Sequence, residues 1–154
     1  MNPTALKVEL LKDDPQLAGR LDPVFGRPED PIEDVAQRAA LLLGELQPIV
    51  WEGNAATFQF TYVSPTAETV LGYPCANWLT SGFWAGTVVH PEDQGHAVSY
   101  CALATGNGLD HDFQYRARTK DGRIVTLHDV VHVIKGSRGV AVRLRGIMVP
   151  VGQG

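Results

Sequence analysis

The sequence predicts an α+β domain in which a five-stranded antiparallel sheet carries short helices on one face and follows an N-terminal helical extension. Two short runs rich in β-branched and aromatic residues come early in the chain, and three longer runs of the same kind end it. Between these groups the apolar residues change to helical spacing. The order of two strands, several short helices, one longer helix and three strands implies antiparallel, hairpin-connected strands.

The N-terminal part is expected to be separate from the sheet domain. Its first 30 residues are acidic and punctuated by proline, which is typical of an arm with little core of its own. A helix follows, with Glu33 and Asp34 in its first turn and Asp30 placed to cap it. Its apolar face could cover the outer side of the sheet or pair with a second copy. The expected organisation is a 1–30 arm, a 31–46 helix, a 47–150 sheet domain and a 151–154 tail.

The sheet domain is predicted to begin with a hairpin. Residues 48–52 and 57–63 are rich in strand-forming types, and 53–56 has the composition of a turn. Ser64 is placed to cap a short helix, and Gly72 to end it. A short helix therefore follows the hairpin directly.

One longer helix separates the hairpin from the closing strands. Pro91 suits its first position, and Glu92 and Asp93 suit the positive end of its dipole. Asp121 and Gly122 lie between two alternating runs, and such a pair favours a tight turn with positive φ at both residues. The closing strands are expected at 109–119, 123–135 and 139–149.

Four segments of the sequence resemble the PAS family, and they occur in that family's order and spacing. These segments are 60–73, 90–93, 115–122 and 143–147. The resemblance covers about residues 47–149 and implies a PAS fold. It also implies a sensory module of a bacterial regulatory protein, which passes a change in a ligand, cofactor or partner to an output. Such outputs include a histidine kinase, a cyclic-dinucleotide enzyme or a transcription regulator.

The C-terminal end of the resemblance departs from the family. PAS domains usually end in an Asp-Ile-Thr-like run that leads into a coiled-coil linker, whereas this chain has Pro150-Val151-Gly152. Because proline cannot donate to a strand ladder, we expect the last strand to be interrupted there. Signalling through the helix at 31–46 then becomes the more attractive route.

A small-molecule pocket is expected between the sheet and the helices, where apolar ligand sites commonly form. The same side chains could instead fill a solid core, which would suit a ligand-free dimerisation module. The candidate lining residues are Trp51, Phe60, Trp84, Val98, Phe113, Tyr115, Val125, Leu127 and Met148.

An ion pair between Glu68 and Lys120 is expected from the resemblance, because many PAS domains tie the first helix to the hairpin in this way. An exposed pair of this kind contributes only about 0–1 kcal/mol to stability.

No cofactor is predicted. In haem-binding PAS domains the ligand falls about two residues after the position of His96, where this chain has Val98, and two residues turn a helical side chain by about 200°. Flavin-binding light sensors carry an Asn-Cys-Arg-like motif, which matches the surroundings of neither Cys75 nor Cys101. Haem and flavin are therefore both unfavoured.

No metal site or catalytic residue is predicted either. His111, His128 and His132 fall on expected strands, and Asp110 and Asp112 are the only helpers nearby, which does not make metal-ligand spacing. The sequence has no Gly-x-Ser-x-Gly, phosphate loop or His-Glu-x-x-His motif. A non-enzymatic function is therefore expected, with a small α+β enzyme as a remaining alternative.

Charge and composition limit the kinds of partner that this chain is expected to bind. The formal net charge is −4, from 13 basic and 17 acidic residues, so nucleic acid is not an expected partner. No apolar run approaches the length of a membrane span, and two cysteines without a C-x-x-C motif suggest neither a disulfide framework nor zinc. The expected partners are a second copy in a homodimer, a small-molecule ligand, and an output domain or partner protein. The default setting is cytoplasmic.

Overall fold

A five-stranded antiparallel sheet forms the centre of the computed structural model, which describes residues 17–151. The strands lie side by side in the order β2-β1-β5-β4-β3, and all four neighbouring pairs are antiparallel. This arrangement confirms the fold class that the sequence predicts. The strands are β1 (Ile49–Asn54), β2 (Phe60–Val63), β3 (His111–Arg118), β4 (Ile124–Lys135) and β5 (Ala141–Pro150).

Helices pack against both faces of this sheet. The inner face is covered by the helices between β2 and β3, and the outer face by the two helices that precede β1. A 3₁₀ turn at Gly44–Leu46 and a π-helical turn at Trp84–Val88 complete the described helical segments. The α-helices are α1 (Leu17–Phe25), α2 (Ile32–Leu43), α3 (Thr66–Leu71), α4 (Cys75–Trp78) and α5 (Pro91–Gly106).

The sheet consequently has a core on each side. Alternation along β1 sends Trp51 to the inner core and Val50 to the outer one, because successive strand residues face opposite ways. The outer core joins strand residues such as Val130 and Ile147 to the apolar side of α2. The central strands are therefore buried on both faces.

The N-terminal segment contributes more to the core than the sequence suggested. Helix α1 occupies part of the expected arm, and it buries Leu21 and Val24 with Leu43 of α2. The apolar side of α2 is thus used within its own chain, as a cover for the outer face. Residues 1–16 of the expected arm and residues 152–154 of the expected tail lie outside the described residues.

Two predicted helix caps are wrong. The Oδ2 atom of Asp30 accepts hydrogen bonds from the Arg27 backbone N–H at 3.1 Å and from Nη2 of Arg38 at 3.0 Å, and it does not cap α2. The Ser64 hydroxyl accepts the backbone N–H of Val50 at 2.8 Å, and it does not cap α3. The Asp30 oxygen is thus taken by a preceding backbone N–H and by an arginine of α2, and the Ser64 oxygen is taken by a backbone N–H of β1.

The β3–β4 turn is longer than an Asp-Gly hairpin turn. Gly122 has φ of 90°, but Asp121 is not in the left-handed region. The Thr119 N–H donates to the Arg123 carbonyl at 2.8 Å, so three residues form the loop and the glycine supplies its one left-handed position. At the end of α3, Gly72 has φ of 89°, as a C-terminal glycine should.

Strand β5 continues through Pro150, so the predicted interruption is wrong. Pro150 lies opposite Leu127, and the Val151 N–H beyond it donates to the Thr126 carbonyl at 2.9 Å. On the other side, β1 begins at Ile49 and leaves no strand beside the proline nitrogen. The backbone N–H that Pro150 lacks would therefore have had no strand partner to donate to.

Candidate functional site

An aromatic pocket, here called the inner pocket, lies between the inner sheet face and α5. Its volume is about 10 Å³, which is room for one molecule the size of water. The pocket lies deep in the inner core, and one carboxyl group is among its walls. It is lined by Trp51, Gly53, Phe58, Phe60, Trp84, Cys101, Phe113, Asp129 and Leu144.

A second pocket, here called the surface pocket, adjoins the first and has a volume of about 160 Å³. The two pockets share Phe58, Phe60, Trp84 and Cys101 as walls. Exposed residues such as Thr80 lie among its walls, so the surface pocket opens to solvent. Its remaining walls are Thr57, Trp78, Gly82, Phe83, Ala85 and Val98.

Asp129 lies at the base of the inner pocket, and its side chain is bound by two aromatic residues. The Trp51 Nε1–H donates to Oδ1 at 3.0 Å, and the Tyr115 hydroxyl donates to Oδ2 at 2.9 Å. The Trp84 Nε1–H donates in turn to the Tyr115 oxygen at 3.0 Å. Asp129 is 1% exposed, so these bonds replace its contact with water.

Burial controls the ionisation of this cluster. Loss of hydration raises the pKa of Asp129 to about 7, although the donors Trp51 and Tyr115 and the nearby His128 act in the opposite direction. Burial also raises the pKa of Cys101 to about 12, so its sulfur is a thiol at neutral pH. No activated nucleophile lies among these groups of the described chain.

Stacked aromatic rings form the pocket's side walls. The rings of Trp51 and Phe60 stack with centroids 4.8 Å apart, and Phe60 stacks on Trp84 at 6.3 Å. Tyr115 and Phe113 meet the Trp84 ring edge-on at 5.6 Å and 6.4 Å. Such contacts between rings add to the free energy of area burial and hold the indoles in place.

The predicted lining residues divide into three groups. Trp51, Phe60, Trp84 and Phe113 line the inner pocket, and Val98 lines the surface pocket. Tyr115 lines neither pocket, but its hydroxyl donates a hydrogen bond to Asp129, which lines the inner pocket. The three others belong to the inner core without lining either pocket, and these are Val125, Leu127 and Met148.

Sequence reasoning missed Asp129, although one signal was present. This carboxyl lies in β4, directly before Val130 and Val131, and a charge inside a buried apolar run needs an explanation. Phe58, which lines both pockets, was also missed because it lies in the turn between β1 and β2.

The ion pair predicted between Glu68 and Lys120 is wrong. Within residues 17–151 no ion pair joins them, and the Glu68 carboxylate accepts the Cys75 backbone N–H at 2.9 Å instead. That hydrogen bond lowers the pKa of Glu68. Lys120 is tied to α3 through its backbone, because its N–H donates to the Leu71 carbonyl at 2.8 Å. The connection between α3 and the hairpin therefore exists, but it uses backbone atoms.

The histidines that were weighed as metal ligands form separate pairs. His128 contacts Asp112 at 2.6 Å in the interior, and His132 contacts Asp110 at 2.9 Å near the surface. In the part of the chain that the structure describes, no three His, Cys, Asp or Glu side chains are grouped to hold a metal. His96 is exposed on α5. None of the helices described is long and apolar enough to cross a membrane.

A five-stranded antiparallel sheet with short helices packed over pockets on one face is typical of a class of sensory α+β domains. The family model for the PAS fold matches residues 60–148. The chain belongs to the PAS family. PAS domains are sensory modules and are in general not catalytic.

Solved structures share this fold. The N-terminal domain of a diguanylate cyclase with a PAS/PAC sensor from Marinobacter aquaeolei is 38% identical, covers 67% of this chain and 94% of its own, and has a TM-score of 0.63. A sensory box histidine kinase/response regulator from Burkholderia thailandensis is 21% identical over 75% of this chain and 83% of its own (TM-score 0.58). A domain of a light and redox sensing histidine kinase from Haloarcula marismortui is 19% identical over 75% of this chain and 99% of its own (TM-score 0.59). No curated protein matches the chain.

Proposed function

We propose that this PAS domain is the sensor of a bacterial regulatory protein and binds a small molecule in the inner and surface pockets. The observation that carries the proposal is Asp129, a carboxyl buried at the base of an aromatic pocket. A buried carboxyl costs free energy that an apolar residue of similar size would not cost. Its position is therefore better explained by recognition of a ligand than by folding.

Phe58 is suited to admit the ligand. It is half-buried, lines both pockets and lies at the join between them. Its backbone has φ of 59°, a conformation that costs a bulky residue on the order of 1–3 kcal/mol. Rotation of this side chain would remove part of the wall between the two pockets and merge them.

Strand β4 offers a route for the signal. Asp129 faces the inner pocket, whereas its neighbour Val130 packs in the outer core with the α2 residues Val35 and Leu43. A ligand that shifts β4 would therefore also shift the outer-core surface on which α2 packs. Differential affinity for two positions of this strand is enough to transmit binding to an output. A histidine kinase or a cyclic-dinucleotide enzyme would be a suitable output.

The test uses two cysteines, of which only one faces the pockets. Cys101→Met fills the space between the inner and surface pockets, and methionine adapts well to irregular cores. Cys75→Met is the matched control, because Cys75 is half-buried and lines neither pocket. We expect native mass spectrometry or a thermal-shift screen to find a compound that binds the wild type and C75M but not C101M. A compound that binds C101M equally well, or no compound at all, would argue against the proposal.

A ligand-free dimerisation module is the second candidate, and the near-complete filling of the inner pocket favours it. The outer side of α2 offers Leu41, which is 82% exposed, as a contact for a second copy. Light scattering after size-exclusion chromatography would test this candidate. A homodimer that Leu41→Glu dissociates would support it, and a monomeric wild type would exclude it.

A further inference from the structure

The hydrogen bonds at the base of the inner pocket use the donors of Trp51, Trp84 and Tyr115 but leave acceptor positions open. Both indole N–H groups and the Tyr115 hydroxyl already donate, to Asp129 or to Tyr115 itself. Each carboxylate oxygen of Asp129 can accept a second hydrogen bond, so lone pairs remain on both. When Asp129 is ionised, a ligand that brings only acceptors, such as a carboxylate, would meet a negative group, and these three donors would not be free to bind it. The base of the pocket therefore selects a ligand that donates.

The same carboxyl lacks a cationic partner. Neither pocket has Lys or Arg among its described walls, and the nearby His128 contacts Asp112 on the opposite face of the sheet. Cys101 and Tyr115 also face Asp129, but burial raises the pKa of both, so both are uncharged at neutral pH.

The dimensions of the two pockets fit a ligand with a small head and an apolar body. The inner pocket holds one water-sized group, and the adjoining 160 Å³ of the surface pocket is walled by Phe58, Phe60, Trp84 and Val98. We propose that the ligand is a small primary amine, bound with its ammonium group on Asp129 and its hydrocarbon chain in the surface pocket. This inference rests on the proposed function, because it names the ligand class of the same pockets.

Isothermal titration calorimetry with the full chain tests the amine. The probes are n-butylamine, n-butanol and butyrate, which share an unbranched four-carbon skeleton and differ in charge. We expect n-butylamine to bind at least about tenfold more tightly than n-butanol, and butyrate not to bind. Asp129→Asn should remove this preference. Asp112→Asn is the matched control, because Asp112 is equally buried but lies on the other face of the sheet.

The pH dependence supplies an independent readout. The pKa of Asp129 is about 7, whereas an alkylammonium resembles lysine and stays charged up to about pH 10. Amine affinity should therefore fall about tenfold for each pH unit below 7, with a proton released on binding. The affinity for n-butanol should not follow this dependence, and Asp129→Asn should abolish it.

If n-butylamine and n-butanol bind equally well, and Asp129→Asn leaves both affinities unchanged, the amine assignment is wrong. The proposal that the pockets bind a small molecule would not be affected by that result. Binding of none of the three compounds would also overturn the amine assignment. The proposal that the pockets bind a small molecule is tested separately, by comparing ligand binding to C101M and C75M. Circular dichroism and a cooperative thermal transition establish that each variant is folded.

Discussion

Gly146 of β5 lies directly opposite Trp51 of β1, and the indole occupies the space that a side chain at position 146 would need. A Cβ atom built on Gly146 would lie 2.2 Å from two atoms of the Trp51 ring. The ring cannot move freely, because it stacks on Phe60 and donates to Asp129. The glycine therefore determines where the Trp51 wall of the inner pocket stands.

Gly146→Ala should destabilise the protein by about 1–3 kcal/mol, the usual cost of an overpacked core. Urea unfolding followed by Trp fluorescence measures this. Gly95→Ala is the control, because a Cβ at position 95 on α5 meets no atom within 4 Å. Since alanine favours helix, that variant should be neutral or up to about 1 kcal/mol more stable. Equal effects of the two substitutions would show that the Gly146–Trp51 contact is not required.

The stability of the fold should depend on the ionisation of Asp129. Its pKa is about 7 when folded, against about 3.9 when unfolded. The folded state thus keeps a proton that the unfolded state has released, so this carboxyl's contribution is full below about pH 4 and is lost as the pH rises to 7. Asp129→Asn has no such titration. The stability of the wild type relative to D129N should fall by a few kcal/mol, on the order of 2–4, between about pH 4 and pH 8. A difference that stays constant with pH would contradict this.

Asp93 should fix the start of α5 to β3. Its carboxylate accepts the backbone N–H and Nε of Arg116 at 2.8 Å and 3.1 Å and Nη2 at 2.8 Å, and these bonds lower the pKa of Asp93 to about 2. Asp93→Asn should cost about 1–2 kcal/mol at pH 7. The carboxylate's contribution is present above about pH 4 and is lost as the pH falls through 2.

Glu92 is the control for this prediction. It also contacts Arg116, at 3.1 Å, but its side chain is 74% exposed. Glu92→Gln should therefore change the free energy of unfolding by less than about 0.5 kcal/mol, because water screens an exposed pair. Thermal melts of the two variants at pH 7 compare them, and a larger loss in E92Q than in D93N would reverse the assignment.

Helix α2 should be an integral part of the folded domain. Leu43 is fully buried on the outer face of the sheet, whereas Leu41, two residues earlier, is 82% exposed. Leu43→Ala should cost about 2–5 kcal/mol, and Leu41→Ala should cost less than about 0.5 kcal/mol. Urea denaturation of both variants distinguishes this packing from a loosely attached helix, in which the two losses would be similar and small.

Several parts of the fold could be predicted from the sequence because their signals are local. Alternating β-branched and aromatic residues predicted the strands, Gly72 predicted the end of α3, and Pro91 predicted the start of α5. The extra residue in the β3–β4 turn could not be predicted, since Asp121 and Gly122 suit both turn lengths. The composition of a turn constrains its backbone angles but does not determine how many residues separate the paired strands.

The sequence by itself determined the order of elements, the antiparallel sheet and most of the aromatic residues of the pocket. These depend on backbone periods of about 2 and 3.6 residues, which the apolar pattern displays directly. Only the tertiary structure decided that Asp129 meets Trp51, 78 positions away, that Glu68 binds a backbone N–H, and that α2 covers its own sheet. The physical reason is that the partner of a buried polar group or of an apolar face depends on which distant parts of the chain pack together. The residues next to such a group in the sequence do not specify that packing.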